Sequence, residues 1–446
     1  RVADPRRSRI TARDPLRSPK HRPLTVPSDA QPAPPRARAP LALIALLSAA
    51  LLINYADRGS ISTAAPLIEK ELHLTASQTY LMLSAFFWAY VPSQPFMGWL
   101  ADRVGAARVL AGGLTLWSAS TFCAGLTAGV LQLIALRLFM GAGESVFYPS
   151  ALALLAQRVR DEHRARATAV MQFGSYVGPA LGSLVGGLVM VHYGWRVMFF
   201  GLGVASLLWL IPWSRQLRTV PRVTPAAAGG GGPPYSMILR QRALWATTLG
   251  NFCGNYAFYF VFTALPLYLV DERGLSLGAM TRVNTVFYTV DALSVLATGW
   301  LLDAWIRRGA RAGRAYKTAL VLSAAGVGAC LLVSSRAGPA AGALLLIATG
   351  LADGLNAPSV CALTQRFAGP LATGRWMGLQ NAVSNSSGII APIVTGYLVQ
   401  ASGHYTLALW VTGAVALTGL LAWLVIVPPV EPVDWGGGVP AAAAIS

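Results

Sequence analysis

Two carboxylates and two guanidiniums sit inside otherwise apolar sequence: Asp57 and Arg58 within residues 41–66, Arg137 and Glu144 within residues 130–157. An ionised side chain at the centre of a bilayer costs about 2.5 kcal/mol or more, so such residues normally face a water-filled cavity and mark a pathway. A guanidinium is suited to holding a carboxylate through two parallel hydrogen bonds. A carboxyl with no cation at its own depth is suited to taking up and releasing a proton. The chemistry implied is therefore anion binding and proton carriage, with no covalent step.

Spacing along helices gives these groups an arrangement. Asp57 and Arg137 each fall roughly 10–14 Å below the same end of their helices at 1.5 Å per residue, which makes an ion pair between them sterically reasonable. Glu144 is two turns from Arg137 on the same face, about 10 Å deeper, with no basic residue expected at its level. Asp57 and Arg58 point about 100° apart, which leaves Arg58 for a different partner. A static ion-pair network holding the two helices together is the competing structural reading. Asp291 and Asp353 are two further intramembrane acids, open to substrate hydroxyls, a second proton, a sodium ion or pairing with polar neighbours such as Asn356.

The elements that position these residues follow from composition. The chain has 446 residues, 54% hydrophobic and 12% charged, against about a quarter charged in soluble proteins. Twelve apolar runs approach the ~20 residues that span a bilayer: 41–66, 78–101, 109–127, 130–157, 167–191, 195–213, 243–270, 278–302, 317–335, 339–365, 375–400 and 404–428. Backbone polar groups in lipid must be satisfied within the segment, so the runs are expected to be helices. The net charge of +18 is a topology signal rather than a nucleic-acid footprint. Of the 35 Lys and Arg, 28 fall on one side of this arrangement and 5 on the other, which predicts that both termini are cytoplasmic. Cys123, Cys253, Cys330 and Cys361 all lie in apolar spans, without metal-ligand or disulfide spacing.

Five segments are expected. Residues 1–40, rich in Arg and Pro, read as a disordered basic cytoplasmic tail with no signal peptide. Residues 41–213 form a first six-helix half, and 214–242, with Gly229–Gly232 followed by Pro233 and Pro234, a cytoplasmic linker. Residues 243–428 form a second six-helix half and 429–446 a cytoplasmic tail. A weak repeat supports the split: Gly98-Trp-Leu-Ala-Asp102 recurs as Gly299-Trp-Leu-Leu-Asp303. Parallel halves with a substrate site between them near the midplane are a known transporter architecture.

On these residues the chain resembles the major facilitator superfamily, and within it the anion:cation symporters: hexonate and hexuronate carriers, sialin and the vesicular glutamate transporters. The matching elements are Asn54-Tyr55-Ala-Asp57-Arg58, Tyr90, Gly98 to Gly105 with Asp102 and Arg103, Arg137 to Glu144, Gly194-Trp195-Arg196, and Asn381 to Pro392. Ala107 departs from the loop motif, which usually carries a basic residue there. The resemblance implies proton coupling through Asp57 and Glu144 with Arg137, and a carboxylate held by Arg58. It also implies substrate hydroxyl contacts from Tyr55, Tyr90, Gln172, Asn381 and Asn385, for which interhelical hydrogen bonding is the alternative, and gating by Asp102 and Arg103.

The expected protein is an all-α membrane protein of twelve transmembrane helices in two halves. It imports a small organic anion, a sugar acid or related carboxylate, by proton-coupled symport and alternating access. It is monomeric and lies in a plasma membrane (the inner membrane in a bacterium). Proton-driven efflux is one alternative, disfavoured because Arg58 repels cations; a non-transporting ligand sensor is another. No phosphate-binding loop, metal cluster, nucleophile–base pair or cofactor fingerprint is present in the sequence, so the expectation is no enzyme and no cofactor. The driving gradient is expected to be of protons, with sodium as the alternative ion.

Overall fold

A computed structural model describes residues 41–159, 161–219 and 233–435; the expected N-terminal tail, Arg160, residues 220–232 of the expected linker and residues 436–446 of the expected C-terminal tail lie outside the described residues. Every regular element among them is helical. In chain order these are α1 Leu41–Leu72, α2 Ala76–Leu100, α3 Ala106–Ala124, α4 Val130–Glu144, α5 Phe147–Arg158, α6 Asp161–Leu181, α7 Gly187–Leu208 and α8 Leu210–Thr219. The second part of the chain has α9 Tyr235–Leu239, α10 Arg242–Leu267, α11 Leu277–Arg307, α12 Ala312–Ser334, α13 Pro339–Asp353, α14 Asn356–Asn385, α15 Ser387–Ser402 and α16 Thr406–Leu421. Among the described residues, nine helical stretches are long and apolar enough to cross a membrane.

Local sequence explains where helices start and break. Thr75 caps α2 reciprocally with Gln78, and the Ser276 hydroxyl accepts from the Ala279 amide at the start of α11; each satisfies amide donors that a helix end would orphan. Pro339 opens α13, where its missing N–H is no loss. The stretch Ala167–Gln216 runs as one apolar helical segment long enough to cross a membrane, yet Gly194 takes φ 84° and turns the chain out of the helix. Gly369 does the same at φ 63° within α14. Other residues rarely adopt such angles.

The exterior is apolar. Trp300, Leu131, Val425 and Tyr397 are all more than two-thirds exposed, while Asp57, Arg58, Arg137 and Glu144 are buried. That inside-out pattern suits lipid outside and a polar interior. Glycines let the helices approach: a Cβ on Gly174 or Gly178 of α6, or on Gly182 just after it, would stand 2.4–2.6 Å from backbone oxygens of α1. This is close packing of the kind small residues allow in membranes.

The early and late helices meet mainly at the end of the bundle that carries the α1–α2 and α10–α11 turns. There one apolar cluster joins Ile61, Ile68 and Tyr80 to Phe260, Leu267 and Leu409. The Gln400 amide oxygen accepts from the Ser77 amide at 3.2 Å, Tyr80 meets Tyr405 at 3.4 Å, and Asn284 donates to Thr63 and Ser183 at 3.2 and 2.9 Å. At the opposite end the core divides. One cluster is built mainly from residues up to Trp213, and another from Ile238, Phe367, Trp376 and Trp423 with their neighbours.

Candidate functional site

A buried polar cluster forms where α1 and α4 both pack against α2. Gly141 makes this possible: a Cβ there would lie 2.1 Å from the Phe86 carbonyl oxygen, so α4 lies directly on α2. One turn further, α4 ends at Glu144. Its Oε2 accepts from Arg58 Nε at 2.6 Å, with both side chains almost fully buried. The Arg58 guanidinium also lies over the rings of Phe86, Tyr90 and Tyr55, at 4.5, 4.6 and 4.9 Å from their centres. Cation–π attraction is strengthened by such desolvation. The second Glu144 oxygen has no hydrogen-bond partner.

Helices from later in the chain close the other side. Tyr259 of α10 donates to the Asn385 side-chain oxygen at 3.0 Å. Its ring packs on Phe87 at 4.6 Å, and it is within electrostatic reach of Arg58. The cluster is therefore a cationic centre ringed by aromatics, held by one carboxylate and bordered by an amide and a phenol.

This geometry corrects two readings of the sequence. Glu144 does have a basic partner, because the Arg58 side chain is long enough to reach from α1 to the end of α4. Asp57 and Arg137 do not pair. Arg137 donates to the Leu83 carbonyl at 3.0 Å and lies 5.1 Å over the Phe86 ring, while neither Asp57 oxygen has a hydrogen-bond partner. The two line one small cavity instead, with Thr121 and Phe199 among its walls. Tyr55 and Tyr90 present ring faces to Arg58, a use not anticipated for them. Asn385 reaches the site through Tyr259. Asn381 lies one turn away and is exposed, and Gln172 is half-buried on α6 with its amide oxygen unpartnered; neither touches the Arg58 cage. The side chain of Asp102 lies outside the described residues, and Arg103 is exposed, stacked 4.6 Å over Trp99.

Phe86 and Tyr259 were missed by residue chemistry, yet a signal for them exists. Asn54-Tyr-Ala-Asp-Arg58 recurs 201 residues later as Asn255-Tyr-Ala-Phe-Tyr259, and Phe86-Phe87 as Phe287-Tyr288. Tyr259 thus stands at the position of Arg58.

A helical bundle with an apolar exterior and a buried ion pair at its centre defines a polytopic membrane protein with a polar interior site. Residues 47–315 and 283–441 match the Major Facilitator Superfamily, and the chain belongs to that family of transporters; it is a multi-pass membrane protein and not an enzyme. It is similar to the hexuronate transporter of Bacillus subtilis (strain 168), 28% identical over 405 residues that make up 87% of this chain and 95% of the relative. It is also similar to the D-galactonate transporter of Escherichia coli O6:H1, 26% identical over 86% of this chain and 94% of that one. Among solved structures, a bacterial homolog of the human lysosomal transporter Spinster, inward-facing and unoccupied, superposes with a TM-score of 0.74 at 15% identity. The match covers 88% of this chain and 98% of that one, and it speaks for the fold.

Proposed function

We propose that this protein is a proton-coupled symporter that takes up a small organic anion, a sugar acid or related carboxylate. The observation that carries the reading is the buried Arg58–Glu144 pair beneath its aromatic rings. A substrate carboxylate and the Glu144 carboxylate compete for one guanidinium. Protonation of Glu144 releases Arg58, and the incoming anion then replaces the lost charge. Proton and anion are bound together because an unpaired buried guanidinium is costly. The carriers of hexuronate and galactonate among its relatives support the substrate class.

Asp57, with Arg137 across the shared cavity, serves as the second proton group in this proposal. Tyr55, Tyr90 and Asn385 border the anion, Gln172 and Asn381 line its path, and Asp102 and Arg103 act in the gate. The architecture is twelve spans in two six-helix halves. Ala167–Gln216 counts as two, divided at Gly194, and Ala76–Leu100 and Ala106–Ala124 join the nine apolar stretches. The excess of Lys and Arg assigns the end bearing the chain termini to the cytoplasm. The contacts at the α1–α2 end then make this an inward-facing state. On that assignment Asn381, Gly378 and Gly374, exposed on the α14 face that Asn385 begins, line the inner cleft.

The test uses purified protein in liposomes containing a pH-sensitive dye, with hexuronates, hexonates and small carboxylates added outside beside neutral sugars. One acid pool is expected to acidify the lumen. Glu144→Gln, which keeps an acceptor for Arg58, is expected to lose acidification while retaining substrate counterflow. Uptake of a labelled acid without proton movement would overturn the coupling, and equal acidification by the variant would remove Glu144 from it.

A further inference from the structure

The second part of the chain repeats the architecture of the Arg58–Glu144 site with different chemistry. Helices α4 and α13 are both fifteen residues long, and each ends on an acid, Glu144 and Asp353. Each is followed by a two-residue break and then by a helix with Pro-Ser at its third and fourth positions, Pro149-Ser150 and Pro358-Ser359. The packing repeats as well. Gly141 lies against the Phe86 carbonyl, and Gly350, 209 residues on, lies against the Phe287 carbonyl, 201 residues on. In this register Asp353 stands for Glu144, Tyr259 for Arg58 and Asp291 for Tyr90. The arginine is gone and a second carboxylate has arrived.

Gly350 of α13 and Gly354, which caps its end, press on Phe287 and Ser294 of α11, and Ser294 donates to the Leu351 carbonyl at 2.7 Å. Asp291 lies between Phe287 and Ser294 on α11, so it falls level with Asp353 and within its electrostatic reach. One Asp291 oxygen has no hydrogen-bond partner. Beside Asp353 lies a cavity of ≈ 10 Å³, enough for one water-sized occupant. Its polar walls are Asp353, Asn356 and Ser323, and its floor includes Gly250 and Gly254 of α10. Asn356 is 9% exposed, and no hydrogen bond to its side chain occurs among the described residues. A Cβ on Gly254 would stand 2.7 Å from its amide nitrogen, so glycine is what leaves this amide its place at the cavity. Lys317, the basic group nearest in sequence to Ser323 on α12, is committed to the Val427 carbonyl at 2.8 Å.

We propose that Asp353, Asn356 and Ser323, with Asp291 alongside, form a binding site for a sodium ion, distinct from the Arg58–Glu144 pair. The donors are hard oxygens, the kind that hard cations take. Among the described residues no guanidinium or ammonium faces the buried Asp291 and the half-buried Asp353, so a bound cation would offset the charge of the ionised pair, and the cavity has the size of an ion rather than of a substrate. Tyr176 of α6 lies within electrostatic reach of Asp291, Asp353 and Tyr55. It therefore adjoins both this site and the Arg58 cage, which gives an ion here a route to influence the substrate site. The inference does not rest on proton coupling through Glu144.

Binding of ²²Na⁺ to the purified full-length protein tests it. Wild type is expected to bind the label saturably, with displacement by unlabelled sodium and not by potassium or choline. Asp353→Asn and Asn356→Leu are each expected to weaken binding by at least about tenfold, while Glu144→Gln binds as wild type. Should Asp353→Asn fail to fold, Asn356→Leu and the sodium-dependent rise in wild-type melting temperature, measured against choline, decide alone. Absence of saturable binding by wild type, displacement by calcium in preference to sodium, or unchanged binding by both folded variants would overturn the proposal. If Glu144→Gln lost sodium binding as well, the sites would not be distinct and this proposal would fail, whereas loss of proton movement alone bears only on the symport reading.

Discussion

Arg58 is held by geometry as much as by charge. Its guanidinium carbon lies within 4.9 Å of three ring centres while its Nε donates to Glu144, and a lysine ammonium reproduces neither the delocalised contact surface nor the forked donor set. Arg58→Lys is therefore expected to weaken anion binding by at least about tenfold despite the retained charge. Substrate-induced thermal stabilisation of the purified variant would read this, and an unchanged shift would exclude a planar role for Arg58. Much of this chemistry was legible in the sequence, because a charge in an apolar helix is conspicuous. Which charges pair was not: Asp57 and Arg137 share a depth, but the long Arg137 side chain turns to the Leu83 carbonyl and the Phe86 face. Side-chain direction, set by neighbours on α2, decided the matter.

At the scale of elements, glycine contacts set the distance between the helices that bear the site. A methyl group on Gly141 would collide with the Phe86 carbonyl, and α4 would have to move away from α2, taking Glu144 with it. Gly141→Ala is expected to lower stability by about 1–3 kcal/mol, the usual cost of overpacking, and to abolish uptake. Gly112→Ala, where a Cβ meets nothing within 4 Å, should leave both near wild type. Melting curves beside uptake assays check this, and equal behaviour of the two variants would show that the α2–α4 contact does not govern the site. The helices themselves were readable from apolar length alone. Their interruptions were less so: α4 and α5 are separate across Ser145 and Val146 inside what reads as one continuous run, because composition does not reveal a local bend.

At the scale of the whole molecule, the contacts between early and late helices gather at one end. If alternating access opens that end, locking it must stop transport. A cysteine pair at Ser77→Cys and Gln400→Cys, in a background without the four native cysteines, marks positions linked by the 3.2 Å hydrogen bond from the Ser77 amide to the Gln400 side-chain oxygen, a gap that a short bifunctional methanethiosulfonate spans. Cross-linking is expected to abolish uptake and reduction to restore it. Full uptake by the cross-linked protein would mean that α2 and α15 never separate in the cycle.

The sequence by itself determined that this chain is helical, membrane-embedded and equipped with intramembrane charges, since each of these follows from composition and spacing along one dimension. It also carried the repeat behind both buried sites, although only single residues, not the register of Asn54–Arg58 with Asn255–Tyr259, marked them as chemical. The tertiary structure decided that Arg58 meets Glu144, that Tyr259 and Asn385 close over them, and that Asn356 and Asp353 share a cavity. Such contacts depend on helix rotation and on interhelical distances set within fractions of an ångström by glycine against backbone, and neither is encoded in the period of any single helix.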